Sequence, residues 1–232
     1  PRVRTQYMTS QWPVTAPVYS SPFGSRLKAS SNYRYDFHRG VDFPKPIGTP
    51  VVSIGSGTIY GIYSATDPAS PYYVDGGNVV VVKHTLTTPY TIHGKTTTTM
   101  YSVYMHLDTI DSTLVKGGTV QLGQQLGTVG QTGTTKYNHL HFETRVGTAC
   151  SREYQIANPA AGCSQFFAGN PQDPHVNPFL FLPYAQQNGL TTTIVKLAPL
   201  TVKVSSARND LIFNSIQATF GGITKTINLN DR

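Results

Sequence analysis

An almost wholly β fold, made of antiparallel sheets joined by tight turns, is what this sequence predicts, and three observations predict it. The 232 residues include 21 glycines and 16 prolines, which interrupt the chain too often for long helices. Fourteen tyrosines, with abundant threonine and valine, suit a pleated, half-buried surface. Several segments alternate apolar and polar residues with a period of two, most clearly YSVYMHLD at residues 101–108. The length allows one generous domain with a small annex.

In chain order, residues 1–20 are polar, carry Pro13 and Pro17 and show no periodicity, which predicts an extended arm. SPFGSR at 21–26 reads as an entry turn, with Pro22 and Gly24 on either side of Phe23, and the rim of a groove is its functional alternative. In FHRGVDFPKP, His38 and Asp42 are four residues apart, and Pro44 and Pro46 argue against a helix there. A straight strand would hold them about 13 Å apart. Gly40, between them, can supply a bend. Residues 47–63 read as two short strands separated by a glycine turn, and 65–77 as an irregular loop. NVVVVKH at 78–84 is an apolar run expected to be buried on both faces, with His84 as a structural histidine.

A threonine-rich hairpin follows and places His93 in solvent. In residues 101–108 the alternation puts Tyr101, Val103, Met105 and Leu107 on one face and Ser102, Tyr104, His106 and Asp108 on the other. A glycine-rich block of short strands and turns occupies 113–133, and NHLHFETRV reads as a further strand. Residues 147–183 are loop-like, with His175 at the surface, and from 191 onward three or four strands form a polar annex. The expected division is an arm at 1–20, a main domain at 21–185 and an extension at 186–232, the last either packed on that domain or a truncated module.

The chemistry gathers on residues 138–143, NHLHFE. Side chains at i and i+2 of a strand share a face, so His139 and His141 project together while Leu140 and Phe142 enter the opposite layer. His38, Asp42 and His106 are the upstream partners. Two neutral imidazoles and one carboxylate are a ligand set zinc accepts, with water in the fourth position; the two remaining histidines would then handle protons. Glu143 shares the parity of His139 and His141 and reads as a solvated strand-end carboxylate, with the fixing of an imidazole tautomer as the alternative. Tyr104 reads as a groove-lining aromatic, with an oxyanion donor as the alternative. A helical HExxH, a GxSxG elbow, a GxGxxG and a P-loop are all absent from the sequence.

Eighteen Lys and Arg against 11 Asp and Glu give a net charge of +7, which draws the chain to polyanions. The basic residues are scattered rather than clustered, which argues against nucleic acid and suits an anionic cell envelope. No apolar run is long enough to span a membrane. The chain starts at Pro1 without an apolar leader, so any signal peptide is expected to have been removed or not included. Cys150 and Cys163 are the only cysteines and are expected to form a disulfide, implying an oxidising compartment.

The ordered series SPFGSR, FHRGVDFPKPIGTPV, GNVVVVKH, YMHLD, VKGGTVQLGQQLGTVGQTG and HLHFE resembles the lysostaphin/LytM-type zinc endopeptidases of metallopeptidase family twenty-three, which cut peptidoglycan. The likeness runs from about Ser21 to Arg145. It implies a groove-bearing antiparallel β domain with one zinc ion held by His38, Asp42 and His141. It also implies His106 and His139 as the catalytic pair, and groove walls at 65–77, 87–99 and 147–175. The implied protein is a monomeric, secreted or periplasmic endopeptidase acting on peptidoglycan cross-links or stem peptides. An inactive, wall-binding member that activates another hydrolase is the alternative. The Lys136-Tyr137-Asn138 lead-in departs from the small-residue lead-in common in that family, and the residues after 190 lie outside the likeness.

Overall fold

The computed structural model describes residues 6–28, 34–150 and 173–183, and further strands between 190 and 228 by their backbone. The chain divides into two compact units, Pro1–Pro183 and Tyr184–Arg232. In the first, β1 (Gly24–Lys28) and β2 (Arg34–His38) form a two-stranded ribbon. A nine-stranded antiparallel sheet contains β3 (Val41–Phe43), β4 (Pro50–Val52), β5 (Gly57–Tyr63), β6 (Asn78–Ile92), β7 (Lys95–Ile110), β8 (Thr119–Val120), β9 (Gln125–Val129), β10 (Leu140–Val146) and β11 (His175–Val176). Its main path is β11-β10-β7-β6-β5-β8; β3 pairs with β10, and β9 pairs with both β7 and β4.

The sheet is buried on both faces along β6 and β7. Val80, Val82, Tyr104, Leu140 and Phe142 join the larger apolar cluster, while Val79, Val81, Tyr101, Val103 and Met105 form a second one on the other side. This is the two-sided burial predicted for NVVVVKH, and it explains why that run does not alternate. The N-terminal segment contributes more than an arm laid along the surface: Met8 and Val14 are core residues, and Trp12 packs edge-on against Phe43 and Phe179. Complete burial of one such side chain is worth about 1.5–3 kcal/mol.

One expectation for β7 fails in a way that matters for the site. Between the pairs Asn78↔Leu107 and Val80↔Tyr104, β6 advances by two residues and β7 by three, so β7 carries a bulge. Within it, His106 has a left-handed φ of 64°, and its N–H donates to the carbonyl of Gly76 at 2.9 Å. The alternation is thereby reset. Leu107 joins the cluster of Tyr104 rather than that of Val103 and Met105.

In the second unit, β12 (Leu190–Leu197) pairs with β13 (Leu200–Ser206), and β14 (Ser215–Phe220) with β15 (Ile223–Asn228), as two antiparallel hairpins. Cys163, the expected partner of Cys150, lies outside the described residues, as does 151–172 of the expected third wall. Among the described residues, no helix is long and apolar enough to cross a membrane.

Candidate metal centre

β10 lies between β3 and β7, with His141 opposite Asp42 on one side and Met105 on the other. Residues directly opposite in an antiparallel pair have their side chains on one face, so this register alone brings Asp42 beside His141. His38 arrives around the break between β2 and β3. Gly40 sits in that break, and a Cβ there would lie 2.5 Å from the carbonyl oxygen of Phe142 and 2.7 Å from His141 Nε2. The glycine is therefore needed for close approach as well as for the bend.

The outcome is a triangle of donor atoms. His38 Nε2 lies 3.1 Å from Asp42 Oδ1, His141 Nδ1 lies 2.8 Å from the same oxygen, and the two nitrogens are 3.1 Å apart. The opposite ring nitrogens fix the tautomers. His38 Nδ1 donates to the carbonyl of Pro22 at 2.8 Å, and His141 Nε2 donates to Glu143 Oε1 at 3.0 Å. With those protons committed, neutral rings turn two bare nitrogens toward a carboxylate, and three lone pairs meet without a proton between them. Such a cluster calls for a cation. Zinc bonds of about 2.0–2.2 Å would separate tetrahedral ligand atoms by about 3.3–3.6 Å, so a small opening of this triangle accommodates the ion.

Protons are the other cation that serves. Burial works against a charged His141, but Asp42 and Glu143 outweigh it and push its pKa up to about 9. Burial likewise opposes the Asp42 carboxylate, yet the imidazoles of His141 and His38 hold its pKa far below the ordinary range.

Behind the triangle stands a layer of which the sequence offered one member, Glu143, and that only as its alternative reading. Glu143 is buried, which overturns its reading as a solvated strand end; its Oε2 accepts from Arg145 Nε at 2.8 Å and Nη2 at 2.6 Å. His175, expected at the surface, is buried with Nε2 3.0 Å from the same oxygen and Nδ1 against the Asp173 carboxylate. On the other flank, SPFGSR is more than a turn. Beyond the Pro22 carbonyl, it supplies Arg26, whose Nη1 lies 3.6 Å from Asp42 Oδ2 and donates to Ser21 Oγ at 2.5 Å.

The two remaining site histidines stand beside the triangle. The His106 and His139 rings have centroids 4.8 Å apart, and His139 Nε2 is 3.5 Å from Asp42 Oδ1. Both commit Nδ1 to a backbone carbonyl at 2.8 Å, His106 to Thr132 and His139 to Tyr137. Each neutral ring therefore presents a bare Nε2. Burial is the first cause that lowers both pKa values, that of His106 to about 4.

Tyr104 does not line a groove. It is fully buried, and its hydroxyl accepts from Ile54 N–H at 2.9 Å and from Ser102 Oγ at 3.1 Å. Burial raises its pKa to about 12. His84 is the satisfied structural histidine expected, bonded to the Ser56 carbonyl at 2.9 Å and Ser102 Oγ at 2.7 Å, and His93 is exposed.

An antiparallel β domain carrying a two-imidazole, one-carboxylate triangle flanked by two further imidazoles defines a candidate metalloprotein. The sequence profile of peptidase family M23 matches residues 36–153, just over half of the chain and all five of these residues, and the chain belongs to that family.

Among curated relatives, the peptidoglycan DD-endopeptidase ShyA of Vibrio cholerae is 33% identical over 132 residues, covering 53% of this chain and 26% of that protein. The DD-carboxypeptidase/endopeptidase Mpg of Neisseria meningitidis is 28% identical over 153 residues, 66% of this chain and 30% of that protein. The chain thus spans under a third of the length of these relatives. The solved catalytic domain of the antimicrobial peptidase lysostaphin from Staphylococcus simulans is 25% identical, with a TM-score of 0.44 over 71% of this chain and 92% of that one.

Proposed function

We propose that this chain is a zinc-dependent endopeptidase that hydrolyses cross-links or stem peptides of bacterial peptidoglycan. The observation that carries this reading is the meeting of three potential ligand atoms, from His38, Asp42 and His141, beside two imidazoles with bare Nε2 atoms. Those three side chains would hold the ion. When bound, zinc supplies Lewis acidity, which brings the ionisation of water toward neutral pH and polarises a peptide carbonyl.

The protein's own groups carry the protons. His139 Nε2, nearest to Asp42, takes the proton of the attacking water, and the Asp42 carboxylate steadies the imidazolium that results. The same nitrogen then gives that proton to the departing amine. His106 Nε2 is equally bare, so it donates to a developing oxyanion only as the imidazolium, with its second proton drawn from solvent. Catalysis is assigned to 21–185, with 186–232 as a separate module.

Membership of the M23 family and the peptidoglycan-cutting relatives support the substrate class, and the +7 charge favours adhesion to an anionic envelope. The protein would act there as a monomer. Digestion of purified sacculi with mass analysis of the released muropeptides tests the reading. Wild-type protein with zinc should open peptide bonds, and His38→Ala should release nothing. Adhesion to sacculi without cleavage would contradict it and favour an inactive wall-binding member.

A further inference from the structure

From the buried layer behind the triangle we infer that Glu143, clamped by Arg145, is a positioning residue that dictates which nitrogen of His141 faces the metal. The inference rests on the zinc reading above and goes beyond it. An imidazole can ligate through either nitrogen, and the partner of the other nitrogen makes the choice. Here Glu143 Oε1 lies 3.0 Å from His141 Nε2, so that nitrogen keeps its proton and Nδ1 faces His38 and Asp42.

The carboxylate has no freedom to do otherwise. Its second oxygen takes two donors from Arg145, at 2.8 and 2.6 Å, and has His175 Nε2 at 3.0 Å. Arg145 is itself pinned, because its Nη1 donates to the Tyr72 hydroxyl at 2.9 Å and to the Ala149 carbonyl at 2.5 Å. A guanidinium has only donors, so the atom of residue 143 that faces it must be an acceptor. That leaves the other atom for His141.

The acceptor requirement makes the isosteric amide informative. In Glu143→Gln the amide oxygen must turn to Arg145, which aims the NH2 group at His141 Nε2. A donor facing Nε2 favours the tautomer with its proton on Nδ1, the wrong one for binding metal. Glu143→Gln should therefore bind zinc about 10- to 100-fold more weakly than wild type, the range typical of lost partners to metal-binding histidines. A residue that served only as a buried charge partner of Arg145 would lower the melting temperature without changing the affinity of folded protein.

The test is chelator competition for zinc with the full chain, folded fraction checked by circular dichroism, alongside nitrogen-15 NMR of the histidine rings in zinc-loaded wild type. The expected result is the affinity loss in Glu143→Gln and, in wild type, a slowly exchanging proton on His141 Nε2 with the metal on Nδ1. Affinity of the variant within twofold of wild type would overturn the inference. If the variant does not fold, the wild-type spectrum decides alone: a metal on Nε2, or a proton on Nδ1, overturns it. Zinc binding and cleavage by wild type alongside such a result would leave the proposed function standing. Wild type that takes up no zinc would bring down both.

Discussion

Tyr104 and His106 are two residues apart on β7, yet their side chains enter opposite layers of the sheet. Strict alternation would have buried both in the larger core. The bulge at Met105-His106 and the left-handed backbone of His106 turn the imidazole over to the face of His141, and Leu107 takes the place it leaves. Strain of this kind survives where the surrounding structure enforces it, and here it re-aims a side chain into the site.

That strain can be measured. His106→Ala and His106→Gly remove the same ring, but only glycine occupies φ of 64° without steric cost. Urea unfolding should find the glycine variant more stable than the alanine variant by about 1 kcal/mol. Both should lose about 10²- to 10³-fold in cleavage rate, the usual scale for a lost oxyanion donor. Equal stabilities would argue against a strained residue 106.

Tyr104→Phe gives a contrasting outcome. Loss of the hydroxyl leaves the buried Ile54 N–H without its acceptor and Ser102 without one partner, costing about 1–3 kcal/mol in thermal or urea unfolding. Since Tyr104 belongs to the opposite layer, the rate per folded molecule should remain at the wild-type level. A selective fall in that rate would restore the tyrosine to the site.

Gly40→Ala should damage the centre from behind. Its new methyl would press on the His141 ring and the Phe142 carbonyl, and overpacking of this sort costs about 1–3 kcal/mol. Zinc affinity should fall together with stability. A variant with unchanged affinity would mean that the β2–β3 break tolerates more than the distances imply.

The pH dependence of metal-free stability follows from two opposed sets of histidines. His141 is raised to about 9, so its contribution is complete below the unfolded value near 6.5 and is lost as pH rises toward 9. His84 and His106 are lowered to about 4, both first by burial, so their unprotonated state favours folding above 6.5 and that advantage is lost as pH falls toward 4. Urea titrations of the metal-free protein should therefore find greatest stability near pH 6.5. Because zinc displaces a proton from His141, its affinity should rise with pH up to about 9. A metal-free stability that climbs steadily to pH 9 would contradict the raised His141.

Much of this was legible in the sequence because strand parity and side-chain type express it directly. The shared face of His139 and His141, the two-sided burial of Val79 to Val82 and the bend at Gly40 all follow from local spacing. What stayed hidden depends on pairing partners far along the chain. Residues 101–108 alternate without a flaw, so nothing marks the extra residue that forms the bulge; it exists only relative to β6. Glu143 resembled a solvated strand end because its neighbours Arg145 and His175 are brought over it by β10 and the two-residue strand β11. SPFGSR looked like a turn because its second task, steadying His38 and Asp42, appears only once the Ser21↔Asp42 bridge forms.

One zinc ion gripped by side chains 38, 42 and 141 should be visible in an anomalous difference map from crystals of the zinc-loaded protein at the zinc absorption edge. A single strong peak is expected about 2.0–2.2 Å from His38 Nε2, Asp42 Oδ1 and His141 Nδ1. No peak there, or one bound by a different set of residues, would contradict it.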